Sequence, residues 1–270
     1  MEMNKKNISE ATLDDIKRIS LSILIDVTNF CDKNNISYYL SCGTLLGAIK
    51  YGGFIPWDDD VDIMMPRPSY IKFINNYKNQ KYELLNPNIG MYFFAKVFDP
   101  NTIVYEQGID YKKYNPIGIG IDIFPLDGII NDDKIISKIT KRSEYLETLL
   151  RLSNQPIFYR KNKLKSINRI IPRIIGSKKL VKLIEKNAQK YDYNLCDYVI
   201  RYKHTSNGKN TALPKIIYDK ANAKFEGNVF CVPKGYDDWL KSFYGQDYLE
   251  YTPPLDKRVT HNTKCYLINY

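Results

Sequence analysis

The chain has 270 residues, 44% of them hydrophobic and 26% charged, with a formal net charge of +10. That length can bury a full core, as one large domain or two small ones. No apolar run approaches the ~20 residues that cross a bilayer, and the five cysteines form no CxxC pair, which excludes a zinc site or a disulfide framework and points to a reduced, cytosolic protein. The amino terminus is polar, and Ser20, Ser22 and Asp26 interrupt the Ile19 to Ile25 stretch, so no signal peptide is expected.

Residues 12–33 predict an amphipathic helix, because Leu13, Ile16, Ile19, Ile23, Val27 and Phe30 recur at three- and four-residue steps. Thr12 can cap it, with Asp15 three residues on, and Asn34-Asn35 ends it. Residues 36–40 read as a first strand. Ser41-Cys42-Gly43-Thr44 reads as a small-residue turn, and 44–50 as a helix whose start offers backbone N–H groups to an anion. Gly52-Gly53 breaks that helix. A strand at 60–65 follows, stopped by Pro66, and residues 69–77 resume helix. Residues 92–98, 102–105 and 117–124 read as strands, and 132–152 as a helix. Helical pattern then continues to about residue 191, punctuated by Pro156 and Pro172. After Pro214 the chain reads as irregular, apart from a helix near 237–244 and a Pro253-Pro254 tail.

Strands and helices interleave only partly, which predicts a mixed sheet and an α+β fold. There is no repeat, no low-complexity segment and no compositional linker. The expectation is one domain over 1–270: a core at about 12–130, a basic helical insertion at about 131–213, and a carboxy-terminal extension at about 214–270.

The chemistry concentrates in Asp58-Asp59-Asp60-Val61-Asp62-Ile63. Side chains alternate along a strand, so Asp60 and Asp62 point to one face and Val61 and Ile63 to the other. Two carboxylates that close repel unless a cation lies between them, and Mg²⁺ takes carboxylate oxygens and substrate phosphates together. Asp58 shares their parity as a supporting residue; Asp59 points away. A third carboxylate, Asp122, shares a strand face with Gly118 and Gly120, opposite Ile119, Ile121 and Ile123. That face sets an acid beside bare backbone that a substrate can approach. Asp60, Asp62 and Asp122 are therefore the candidate metal ligands and catalytic residues, with Asp122 also the candidate general base. Cys42 has no His near it in sequence and is not assigned as a nucleophile.

A Gly-Thr turn, an Asp-x-Asp strand and a lone Asp on a later strand resemble the nucleotidyltransferase fold of polymerase-beta-like enzymes. The local wording is narrower. GTLLGAIKYGGFIPWDDDVDI at 43–63, IDIFPLDGI at 121–129 and YGQDYLEYTPP at 244–254 resemble the LicD family, over about residues 12–130 and 221–261. That resemblance implies a cytoplasmic, Mg²⁺-dependent phosphotransferase. Its donor would be CDP-choline or a related CDP-alcohol, and its acceptor a hydroxyl of a cell-surface glycan or teichoic acid precursor. Ribitol-phosphate, glycerol-phosphate and phosphoethanolamine transfer stay open within the family. Nucleotidyl transfer to a polynucleotide and a catalytically inactive glycan-binding module are the competing readings.

The resemblance also implies that Gly43 and Thr44 hold the donor's phosphates, and it places Trp57 beside the active site. An indole face there could bind a quaternary ammonium, although packing alone also explains it. Lys96 sits mid-strand among Phe93, Phe94, Val97 and Phe98, so it needs a partner or an exit to water; phosphate is the partner that the resemblance suggests. His261 falls in the family's closing motif, where it could approach the acceptor or a phosphate, whereas His204 reads as a surface residue.

The net charge belongs to one stretch. Residues 160–190 hold eleven Lys and Arg against a single acid, Glu185. A solvated helical face, nucleic-acid binding and a membrane-surface element are the three readings. Ile167, Ile170, Ile171, Ile174 and Ile175 among the cations favour an amphipathic element on anionic lipid. No aromatic interleaving suggests a single-strand binder, so no nucleic acid is expected. A lipid-linked acceptor would make such membrane contact useful.

Overall fold

A computed structural model describes residues 8–157, 168–201, 212–250 and 263–268. Within these, the predicted α+β architecture holds: helices flank a mixed sheet. Strand β1 (Ile8–Glu10) leads into helix α1 (Leu13–Lys33), which opens on a full capping box between Thr12 and Asp15. Its Ile19, Ile23, Leu24, Val27 and Cys31 are buried and pack on the sheet, as the periodicity requires. Next come β2 (Tyr39–Leu40), α2 (Cys42–Tyr51), β3 (Asp62–Pro66) and α3 (Arg67–Asn76). They are followed by β4 (Glu83–Leu85), β5 (Ala95–Phe98), β6 (Thr102–Tyr105) and β7 (Gly120–Ile129).

The main sheet runs β2-β3-β7-β5-β4, with β3 and β7 parallel and the other neighbours on that path antiparallel. Beyond Ile123, β7 leaves β5, and from Asp127 it pairs instead with β8 (Tyr198–Ile200), to which β9 (Leu213–Pro214) adds. The predicted strand at 117–124 therefore continues through Pro125. Proline is tolerated because it falls where one edge of β7 lies between the β5 and β8 pairings.

Between β7 and β8 lie α4 (Asp133–Asn154), α5 (Ile170–Ile175) and α6 (Ser177–Ala188). Gly176, at φ 85°, breaks the expected continuous helix into the last two. Leu146 and Leu150 of α4 pack with Leu180, Val181 and Ile184 of α6. A buried Arg67–Asp127 pair (2.6 and 2.7 Å), with Glu185 3.6 Å from Arg67, ties α6 to β7 and to the start of α3. The basic stretch is not a uniform solvated face. Arg169 is buried on Gln155, and Arg173 pairs with Asp110 at 2.5 Å. Lys178, Lys179, Lys182, Lys186 and Lys190 are exposed.

The carboxy-terminal part holds strand structure that its sequence did not announce. β10 (Lys220–Phe225) and β11 (Asn228–Pro233) form a hairpin about Glu226-Gly227. Both turn residues have positive φ, 49° and 75°, as a two-residue type I′ turn requires. Helix α7 (Tyr236–Tyr244) packs against α2, and β12 (Lys264–Ile268) joins β1 and β6 in a separate three-stranded sheet. No helix among the described residues is long and apolar enough to cross a membrane.

Candidate active site

Asp62 and Asp122 are register partners on the parallel strands β3 and β7. Two acids 60 positions apart in sequence thus become lateral neighbours at one end of the strand pair. Asp60 reaches them differently from the expectation. β3 begins at Asp62, so Asp58, Asp59 and Asp60 lie in the irregular approach and strand parity does not orient them. Asp60 is nonetheless close enough for its charge to raise the pKa of both Asp62 and Asp122. Burial pushes the Asp62 carboxyl up to about 7, with Asp60 adding to the shift and Arg201 opposing it. Burial likewise raises Asp122, against the pull of Lys96.

Lys96 faces Asp122 across β5 and β7, and its Nζ lies 2.7 Å from Asp122 Oδ1 and 3.7 Å from Glu106 Oε1. The same ammonium lies over the rings of Tyr92 (4.9 Å) and Phe94 (5.9 Å). Burial works against this cation, yet Asp122 and Glu106 hold its pKa above the ordinary lysine value. Within the protein its partner is thus a carboxylate. Tyr92 donates to Glu106 at 2.6 Å and fixes that acid in turn.

These groups wall a cleft of about 350 Å³, lined by Asp59, Asp60, Tyr92, Phe94, Lys96, Glu106 and Asp122, with Thr263 and Cys265 from the carboxy terminus. Gly118 and Gly120 also line it, although the space a Cβ would occupy is already taken by backbone. A Cβ on Gly118 would collide with Asp99 O, and one on Gly120 would lie 2.5 Å from Val97 O. Close packing against β5 and the chain after it explains these glycines without a substrate.

A second group gathers around the start of α2. That helix begins at Cys42, so Gly43 and Thr44 belong to its first turn and do not form a turn before it. Thr44 is buried, and its Oγ1 accepts the Asp62 N–H at 2.9 Å, which braces the start of β3. A Cβ on Gly43 would lie 2.5 Å from Asp58 Oδ2, so glycine there lets that carboxylate reach the helix end. Cys42 has φ 46°, unusual for a residue with a side chain, and accepts a hydrogen bond from Arg201 Nη1 at 2.8 Å. Burial raises its thiol well above the usual range, as expected of a structural cysteine. Tyr244 of α7 lies among the same charges: burial first, then Cys42, Asp62 and Asp58, keep its phenol neutral.

Trp57 is half-buried in the turn before the aspartates and does not belong to the cleft wall. His261 and His204 lie outside the described residues. Sequence reading missed Glu106, Arg201 and Tyr244. Tyr244 was within reach, since it opens the YGQDYLEYTPP motif; Glu106 and Arg201 carry no local signal.

Carboxylate oxygens suit a hard divalent cation, and Asp62, whose pKa is raised by burial and by Asp60, has Arg201 at 3.9 Å as its opposing charge, too far for a hydrogen bond. Among the described residues, no three acidic, His or Cys side chains close on one point. Asp122 is drawn onto Lys96. Mg²⁺ commonly takes one or two carboxylates and completes its shell with water and substrate phosphate, so Asp60 and Asp62 are the residues that would hold it.

Residues 35–150 match the family described as LicD/FKTN/FKRP, nucleotidyltransferase domain. The lipopolysaccharide cholinephosphotransferase LicD of Haemophilus influenzae is 30% identical over 273 residues, covering 97% of this chain and 100% of that protein. The chain belongs to the LicD family. An uncharacterized protein of Rickettsia typhi is 35% identical over 136 residues, 42% of this chain and 44% of that one. Mannosyltransferase regulator 4 of Saccharomyces cerevisiae is 34% identical over 83 residues, 30% of this chain and 7% of that protein. The LicD model span contains Asp60, Asp62, Lys96, Glu106 and Asp122, and ends before Arg201 and Tyr244.

Proposed function

We propose that this enzyme transfers phosphocholine from CDP-choline to a hydroxyl of a cell-surface glycan, with Mg²⁺ as cofactor. Family membership makes it a phosphotransferase, and the full-length similarity to a lipopolysaccharide cholinephosphotransferase is the observation that carries the choice of group and acceptor. In this reading Asp60 and Asp62 hold the metal, with Asp122 as third ligand or base. The metal, when bound, neutralises charge on the attacking and leaving oxygens.

The remaining chemistry falls to the chain's own groups. The acceptor hydroxyl occupies the cleft beside Asp122. Its oxygen attacks the phosphorus bearing choline, the bond to CMP breaks, and Asp122 takes the hydroxyl proton. A carboxylate with a raised pKa is the better base for that step. Lys96 keeps Asp122 ionised and oriented until the acceptor arrives. Gly43 and Thr44, with Asp58, sit on the donor side at the head of α2, and Trp57 contacts the choline. His261 approaches the acceptor. The enzyme works in the cytoplasm, with α5 and α6 touching the inner face of the membrane where a lipid-linked acceptor is built. Support for that contact comes from Ile170, Ile171 and Ile174, exposed at 47%, 66% and 78%, next to the exposed Lys178, Lys179 and Lys182.

The test is CMP release from a panel of CDP-linked choline, ribitol, glycerol and ethanolamine, with and without acceptor, in Mg²⁺ or EDTA. Preference for CDP-choline in Mg²⁺ is expected. Release from another donor reassigns the group transferred; release from none sinks the enzyme reading.

A further inference from the structure

Arg201 has more hydrogen-bonding capacity than the protein uses. It directly follows β8 and is only 7% exposed. Its guanidinium carbon lies 3.9 Å from the Phe124 ring centroid. Nη1 donates to Cys42 Sγ. Nη2 stands 3.9 Å from Asp62 Oδ2, beyond hydrogen-bond reach. Neither Nη2 nor Nε has a hydrogen-bond partner among the described residues. A guanidinium presents five N–H donors in a fixed fork, and buried donors left without acceptors are uncommon and costly.

The position of that fork is a second, independent observation. Cys42 is the first residue of the ten-residue helix α2, whose N-cap Ser41 makes no side-chain cap hydrogen bond. The N–H groups of a first helical turn lack intrahelical acceptors and carry the positive end of the helix dipole. A helix N-terminus beside a buried guanidinium with two donors unfilled selects an oxyanion, and phosphate most of all. Asp58 and Asp62 also face this end, so a bare anion would meet repulsion. A phosphate that brings a divalent cation with it would not.

We infer that Arg201 and the N-terminus of α2 form an anion subsite that takes one phosphate of a diphosphate donor beside Asp62. Nε and Nη2 are the donors left for it, and they are the edge of the fork suited to two oxygens of one phosphate. The subsite rests on the diphosphate-donor reading above and extends it to a residue outside the span matched by the family model. It also gives the helical insertion a task. The chain leaves the sheet at Ile129 and returns through β8, which sets Arg201 against Cys42.

Calorimetric titration with inorganic pyrophosphate in Mg²⁺ tests the subsite without assuming a nucleoside. Arg201→Ala should bind pyrophosphate at least ~10-fold more weakly than wild type, the scale of lost hydrogen bonds to a charged group. Arg201→Lys should recover only part, because it restores the charge without the fork. Cytidine, which has no phosphate, should bind wild type and variants alike. Pyrophosphate should raise the melting temperature of wild type and not of Arg201→Ala; Arg201→Gln serves if the alanine variant does not fold.

Pyrophosphate affinity unchanged in a folded variant overturns the proposal, as does a wild type that ignores pyrophosphate. Cytidine weakened as much as pyrophosphate assigns Arg201 to structure alone and overturns it too. CMP release from CDP-choline by wild type reports on the donor separately. Turnover with unchanged pyrophosphate affinity in Arg201→Ala keeps the donor and removes the subsite. Pyrophosphate binding lost in Arg201→Ala, with no turnover of any CDP donor, keeps the subsite and removes the donor.

Discussion

Lys96 and Asp122 stand opposite one another on β5 and β7, with 2.7 Å between Nζ and Oδ1. Neither is more than one-fifth exposed, so each is the other's main compensation for leaving water. The pair also decides how the third carboxylate of the site behaves. Asp122 is drawn onto Lys96, and among the described residues no three acidic, His or Cys side chains close on one point.

Asp122→Asn should lose ~10²-fold or more in rate, as expected for a general base, and keep donor affinity within about an order of magnitude. Lys96→Met should also slow turnover and should destabilise the fold by more than ~1 kcal/mol, because it leaves a buried carboxylate without its partner. The double variant should regain part of that stability. Urea denaturation of the four proteins closes the cycle, and a strictly additive result would show the pair uncoupled.

Asp60→Asn and Asp62→Asn should each abolish turnover while leaving the metal-free fold as stable as wild type or more so, since each removes like-charge repulsion. The pH dependence follows from Asp62, raised from 3.8 to about 7. Between those values the folded, metal-free protein keeps a proton that the unfolded chain has released. Stability from this group is therefore full below the unfolded value, declines above it, and is gone once pH passes about 7. Urea midpoints in EDTA should fall from pH 5 to pH 8 more steeply for wild type than for Asp62→Asn. Equal slopes would contradict the assignment.

Trp57→Ala should weaken a CDP-choline donor more than a CDP-glycerol donor. The difference should be ~1–2 kcal/mol for a desolvated cation–π contact. Competition binding with the two donors measures it, and equal weakening would assign Trp57 to packing.

The exposed isoleucines of α5 and the lysines at the start of α6 should bind anionic vesicles and ignore neutral ones. The attraction is worth ~1 kcal/mol per well-placed cation and should weaken as salt shortens the Debye length. Neutralising Lys178, Lys179 and Lys182 together should reduce co-sedimentation and spare turnover of a soluble acceptor. A wild type that leaves anionic vesicles untouched at low salt would remove the membrane contact.

Sequence by itself determined what short-range patterns encode. Thr12 with Asp15 marked the start of α1, and the apolar steps after it marked the buried face. Alternation around Asp122 placed Ile119, Ile121 and Ile123 in the core, because a strand's period of two is set by the backbone alone. The acid-rich run before Ile63 marked the candidate site. Tertiary structure alone decided the partners. Alternation could not orient Asp60, because β3 starts two residues later. Lys96 found Asp122 and Arg201 found Cys42 only when strands from distant parts of the chain were paired. The physical reason is range: backbone geometry repeats over a few residues and is legible locally, whereas charge compensation in a buried site depends on which strands the fold sets side by side.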